Sequence, residues 1–174
     1  MQRVYLDNAA TTAIRPEVVD EMANVMKNIY GNPSSTHVFG REAKALIELS
    51  RKNIAQRLNV TPAEIYFTSC GTESNNTIIR SCVNDLDVTR IITTDMEHKC
   101  VIESIKDLEV RGKAEVIRLN ILKNGDVDYA QLEELVKDQS KKTLVSLMHA
   151  NNEIGNLTDV KRISQLCQEN NTLF

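Results

Sequence analysis

The sequence predicts an α/β fold, a mainly parallel sheet flanked by helices, and three observations carry that prediction. Helix-like and strand-like patterns alternate along most of the chain, the signature of βαβ units. The strand-like runs are short and apolar, as in Leu144-Val145-Ser146-Leu147-Met148, which suits a sheet covered on both faces. No repeat, low-complexity tract or linker interrupts the alternation, so 174 residues read as one domain with a proper core rather than two large ones.

The elements follow in order. Pro16 to Asn28 is predicted helical, with Pro16 at the start and Val19, Met22 and Met26 on one face. Gly31-Asn32-Pro33-Ser34-Ser35 is a loop by its turn residues. Gly40 to Leu58 is a long amphipathic helix whose apolar side holds Ala43, Leu46, Ile47, Ile54 and Leu58. Glu64 to Thr68 is read as the first strand and Gly71 to Val83 as the helix after it. Arg90 to Thr94, rich in Ile and Thr, is the second strand. Cys100 to Val110 is a helix ended by Gly112, and Glu115 to Leu119 is the third strand. After the Asn124-Gly125 turn comes a helix from Asp128, its expected cap, to Lys137. Thr143 to Met148 is the fourth strand and Asp159 to Gln168 the last helix, with Leu173-Phe174 opening a further strand. Crossovers between parallel strands are expected to be right-handed.

Composition narrows the function classes. Net charge is −3 and the basic residues are scattered, which argues against a nucleic-acid footprint. Aromatic residues make up 4% with no Trp, which argues against an aromatic stacking platform for nucleic acid. No apolar stretch approaches the ~18 residues of a membrane span. Met1 to Thr12 lacks a basic start followed by an apolar run, so no secretory leader is expected and a cytoplasmic location is the default. Cys70, Cys82, Cys100 and Cys167 form no CxxC pair and no zinc-type spacing, and are read as reduced thiols.

Open α/β sheets bind ligands beyond the carboxyl ends of their strands, so the residues after each predicted strand matter most. Thr68 to Ser74 follows the first, Thr94 to Lys99 the second, and His149 to Gly155 the fourth. All three are expected on one edge. The first is a small-residue turn opening a helix, where free N–H groups and the Ser69 and Thr72 hydroxyls make an anion site; alternatively Ser69 or Thr72 simply caps the helix. His98 can stack on a flat ligand or move a proton near neutral pH, or else serve as a capping or surface residue. His37 and His149 are read as structural. Asn151-Asn152-Glu153 offers two amides to a ligand oxygen or amine, or is a turn with Asn in the left-handed region. Cys70 sits at a helix start that lowers a thiol pKa, so a nucleophile there is the rival to a small turn residue.

With these clusters in order, the chain resembles NifS-like cysteine desulfurases of the class V aminotransferase group. Val4 to Thr12 resembles the family's opening segment, and Gly31 to Ser35 with His37, Phe39 and Gly40 its next signature. Phe67 to Asn76 resembles its phosphate-binding turn, and Glu97-His98-Lys99 and Met148 to Gly155 complete the set. The family commonly has Gly where this chain has Cys70.

The resemblance implies the large domain of a fold type I pyridoxal-phosphate transferase, active as a homodimer. Residues 1–174 would be its N-terminal segment and the first part of that domain, a truncated form. Gly71 and Thr72 would hold the phosphate of pyridoxal 5'-phosphate. His98 would stack on the pyridine ring and help proton transfer, and Asn152 would contact the phenolic oxygen near the substrate carboxylate. The implied reaction removes sulfur from L-cysteine, giving L-alanine and an enzyme persulfide. Its sulfur would pass to an acceptor such as an iron–sulfur scaffold protein or a tRNA-thiolation enzyme. The Schiff-base lysine, the carboxylate facing the pyridine nitrogen and the persulfide cysteine match no position of this chain, so these residues alone are expected to be inactive and, with bare apolar faces, poorly soluble. Rival readings are selenocysteine lyase or another class V aminotransferase, a non-catalytic remnant, and a hydrolase built on Cys70.

Overall fold

The structure, a computed structural model, describes residues 3–174, so the first two residues of the Met1 to Thr12 segment read above lie outside it. The chain divides into two compact units, Met1–Phe67 and Thr68–Phe174.

The first unit is helical. Helix α1 (Pro16–Asn28) begins at Pro16, whose missing N–H costs nothing in a first turn. Helix α2 (Val38–Leu58) starts two residues before the expected Gly40, because His37 caps it: its Nδ1 accepts the Gly40 N–H at 3.3 Å. His37 is therefore structural, as expected. The glycines of the 31–40 turn are demanded by close approach. A Cβ on Gly31 would overlap the Phe39 carbonyl, and one on Gly40 the carbonyls of Asn32 and Ser35. Tyr30 stacks on Phe39 across this turn, with ring centroids 5.7 Å apart.

The strand expected over Glu64 to Thr68 does not form. Pro62–Glu64 is a single 3₁₀ turn closed by a Thr61/Glu64 capping box, and the chain beyond is extended but joins no ladder. The Ile65 carbonyl instead accepts from the Arg51 guanidinium. Tyr66 and Phe67 are 82% and 50% exposed. Strand-forming residues without a neighbour to pair with remain an extended loop, since a strand is stabilised through its partner.

The second unit holds the sheet. Helix α3 (Gly71–Asn84) leads to β1 (Arg90–Thr93), α4 (Lys99–Val110), β2 (Glu115–Arg118), α5 (Tyr129–Lys137), β3 (Thr143–Val145) and α6 (Val160–Glu169). The strands are parallel in the order β2-β1-β3, with Arg90 aligned to Glu115 on one side and Thr143 on the other. Alternate residues serve opposite cores. Ile91 and Leu144 pack with Ile79, Val83, Ile105 and Leu108 of α3 and α4. Ile92 and Val145 pack with Leu132, Val136, Ile163 and Cys167 of α5 and α6. The sheet is thus covered on both faces, as the apolar strand pattern predicts.

Asp128 caps α5 as expected, its Oδ1 accepting the N–H groups of Ala130 and Gln131 at 3.1 and 3.0 Å. Strand β3 ends at Val145, three residues before the expected Met148. Ser146 N–H still donates to the Ile92 carbonyl, but Met148 N–H is taken by the Glu97 side chain and the chain turns off the ladder. The strand expected to open at Leu173 is present as one parallel bridge, Leu173 opposite Leu144.

Candidate functional site

Strand order fixes where a ligand can sit. From β1 the chain crosses through α4 to β2 on one side, then returns through α5 to β3 on the other. Adjacent strands whose connections diverge leave a crevice at their carboxyl ends. Here that crevice lies between the exits of β1 and β3, where the 94–98 and 146–156 turns emerge.

Side chains tie these two turns together. Asn151 donates through Nδ2 to the Met96 carbonyl at 2.9 Å, and its Oδ1 accepts the N–H groups of Glu153 and Ile154 at 2.9 and 3.1 Å. The left-handed residue of this turn is Gly155, with φ 74°, and neither Asn151 nor Asn152. Asn152 is exposed and donates to Glu153 Oε1 at 3.0 Å. Glu97 is buried, and its carboxylate accepts the Met148 N–H. Burial pushes the Glu97 carboxyl above its usual range, against the smaller opposing effect of that hydrogen bond.

A raised carboxyl pKa means the native state holds its proton more tightly than the unfolded chain. Its contribution to stability is therefore full below the unfolded value of ~4.3 and declines as pH rises above it. Glu97→Gln keeps the acceptor oxygen and removes the ionisation. The expected result is a flatter stability profile above about pH 4.3 in urea titrations; an unchanged slope would show that Glu97 does not carry it.

Helix α3 opens beside the first of these turns. No side chain caps it: Cys70 is the cap residue, and Ser69 turns its hydroxyl and N–H to Glu73 Oε2 at 2.6 and 2.7 Å. The first α3 amide with a backbone acceptor is Ser74, bonded to the Cys70 carbonyl at 3.2 Å, so the N–H groups of Gly71, Thr72 and Glu73 precede the helical ladder. A Cβ on Gly71 would meet nothing within 4 Å, so space lies open over this end. The Glu73 N–H, then the Ser69 hydroxyl and the Thr72 N–H, hold the exposed Cys70 thiol below its usual pKa. These are the donors of an anion site; among the described residues no histidine hydrogen-bonds Cys70.

His98 ends the β1 exit and caps α4. Its Nδ1 accepts the Cys100 N–H at 3.2 Å and lies 2.9 Å from the Cys100 thiol. Asn75 of α3 donates through Nδ2 to the same sulfur at 3.3 Å. Bonds therefore run from α3 through Cys100 to His98, from its neighbour Glu97 to Met148, and from Met96 to Asn151. Hydrogen bonds thus connect α3 with the 94–98 and 146–156 turns; Gly71 and Thr72 open that helix, and His98 and Asn152 belong to the two turns. A cleft lined by Met96, Glu97, Asp126, Tyr129, Asn151 and Asn156 contains none of these four. Of the linking residues, Asn151 was one of the two amides that the sequence offers to a ligand, whereas Asn75, Glu97 and Cys100 were not singled out as site residues. Asn75 and Glu97 lie inside the motif segments that carry the resemblance, and Cys100 lies two residues after His98.

The aminotransferase class-V profile matches residues 4–174. The chain belongs to that family. Within it, the chain is 40% identical to the mitosomal cysteine desulfurase of Trachipleistophora hominis, over 99% of this chain and 40% of that protein. It is 41% identical to the mitochondrial cysteine desulfurase of Drosophila melanogaster, over 98% of this chain and 37% of that protein. Among solved structures, a NifS-like protein superposes with a TM-score of 0.89 at 39% identity, covering 98% of this chain and 46% of the other. SspA in complex with cysteine superposes with a TM-score of 0.84 at 29% identity, over 94% and 47%. The chain spans less than half the length of these relatives. Among the described residues, no helix is long and apolar enough to cross a membrane.

Proposed function

We propose that this chain supplies the phosphate-holding and ring-contacting part of a pyridoxal 5'-phosphate-dependent cysteine desulfurase. The observation that carries the reading is the run of hydrogen bonds that ties helix α3, the 94–98 turn and the 146–156 turn together at the β1/β3 crevice. Residues 1–174 are then the N-terminal segment and first part of the large cofactor-binding domain.

The donor set fits the cofactor. Gly71 and Thr72 would hold the phosphate: their N–H groups stand ahead of the helical ladder, the α3 dipole favours an anion, and the Thr72 hydroxyl adds a donor. His98 is exposed, with its ring anchored through Nδ1, and would stack on the pyridine ring and hold or move a proton. Asn152 would contact the phenolic oxygen and lie near the substrate carboxylate. The bound cofactor supplies an electron sink for bond cleavage in the amino acid. The substrate is L-cysteine, the products L-alanine and a persulfide on the complete enzyme. The complete enzyme is a homodimer that passes sulfur to an acceptor protein for iron–sulfur assembly or tRNA thiolation. The four free cysteines agree with a reducing compartment, and the cytoplasm is the location proposed.

Binding of pyridoxine 5'-phosphate, which lacks the aldehyde that would modify surface lysines, tests the phosphate site by calorimetry. Pyridoxine without its phosphate is expected to bind at least tenfold more weakly. Thr72→Asp keeps the helix start, since an acid suits that position, but repels the anion and should lower affinity by a further factor of ten or more. Equal binding of the two compounds, or no effect of Thr72→Asp, would remove the phosphate site and the function built on it.

A further inference from the structure

Two donors converge on one acceptor at His98. The Cys100 N–H points at Nδ1 from 3.2 Å, and the Cys100 sulfur lies 2.9 Å from the same atom. A nitrogen that accepts an N–H carries no proton of its own. The proton between sulfur and ring therefore belongs to the thiol, so Cys100 donates and Nδ1 accepts. Asn75 Nδ2 donates to the same sulfur at 3.3 Å, and a donor on the sulfur strengthens the S–H as a donor toward the ring. Cys100 and Asn75 are both partly buried, and among the described residues every hydrogen bond of the ring is made by Nδ1.

We infer that Asn75 and Cys100 are positioning residues that hold His98 as the neutral Nε2–H tautomer, so that the ring offers a ligand a proton donor and not a lone pair. The inference rests on the reading of His98 as the ring-contacting residue. It assigns Cys100 a protonated thiol that works through the imidazole, and it distinguishes the Nδ1 and Nε2 faces of His98 in a way the family reading does not. Asn75 links the α3 end that would hold a phosphate to the imidazole that would meet the ring, so the two subsites share one hydrogen-bonded support.

The test is long-range ¹⁵N–¹H NMR of the 174-residue chain, labelled at histidine nitrogens and recorded where the ring is neutral. His98 is expected to show an unprotonated Nδ1 and a protonated Nε2. Cys100→Ala removes one hydrogen bond and should lower the Nε2–H to Nδ1–H ratio roughly fivefold, while Cys100→Ser restores it through its hydroxyl. Asn75→Ala should shift the ratio in the same direction by about twofold. A protonated Nδ1 in the wild-type chain, or a ratio unmoved by Cys100→Ala and Asn75→Ala, would overturn the inference, leaving the contact a plain helix cap. The pyridoxine 5'-phosphate titration on the same samples separates the two ideas. Tautomer shifts without phosphate binding would retain the tautomer assignment and reject the cofactor reading; binding with an unmoved tautomer ratio would do the reverse.

Discussion

Leu132→Ala is expected to destabilise the sheet unit by about 3 kcal/mol, within the range of about 2–5 for buried Leu truncations. Leu132 is 0% exposed on the inner side of α5, against Ile92, Val145 and Ile163. Its truncation forfeits the transfer free energy gained by burying the deleted groups and leaves a cavity between helix and sheet. Neighbours on β1 and β3 are held by ladder hydrogen bonds and can relax only partly into the gap. A loss of this size is a large share of the ~5–15 kcal/mol that holds a domain together. Amide hydrogen exchange at Ile91 and Ile92 reports it locally, without interference from the helical unit. Protection there should fall by roughly two orders of magnitude; a change under threefold would mean that this core is not packed as described.

Arg90→Ala is expected to cost about 2–3 kcal/mol, the scale of losing hydrogen bonds made by a buried charged group. Arg90 opens the central strand, yet it is only 3% exposed. Its guanidinium donates to Thr143 Oγ1 at 2.8 Å, to the Leu135 and Asp138 carbonyls, and to the Asp138 carboxylate. It therefore fastens the end of α5 and the start of β3 to β1. Asp138 is 51% exposed, so water solvates the carboxylate left behind and the cost stays below that of a fully buried broken pair. The pH dependence has a definite sign. The Ser140 hydroxyl and N–H, then Arg90, hold the Asp138 carboxyl down to about 2. A depressed carboxyl contributes stability above its unfolded value of ~3.9, and that contribution is lost as pH falls toward about 2. Because Ser140 is the larger cause, Arg90→Ala should shrink the acid limb without abolishing it. Urea titrations between about pH 2 and 5 check this, and an unchanged acid limb would exclude Arg90 from the coupling.

These two windows do not overlap. Asp138 acts below about pH 4 and Glu97 above it, so the two groups together place their best combined contribution between them.

Much of the architecture was legible locally. Asp128 preceding a periodic apolar run announced the α5 start, and Pro16 announced α1, because caps and first turns are decided within four residues. Apolar Ile91-Ile92 and Leu144-Val145 announced strands buried on both faces. The Glu64–Thr68 strand misled because Ile, Tyr and Phe favour a pleated surface only when a neighbour offers one. Likewise Ser146 to Met148 has strand composition, but the distant Glu97 takes the Met148 amide and ends the ladder.

By itself the sequence determined the α/β class, the helix positions and the order of the three polar turns, since periodicity, caps and small-residue turns act over a few residues. It also carried the family resemblance through the identities of those turns. Only the tertiary structure decided that β1 lies centrally, that hydrogen bonds link the 94–98 and 146–156 turns, and that Asn75 reaches His98 through Cys100. Those depend on strand pairing and on contacts up to 55 residues apart, such as Asn151 with Met96, and nothing in a local pattern encodes which distant donor an acceptor will meet.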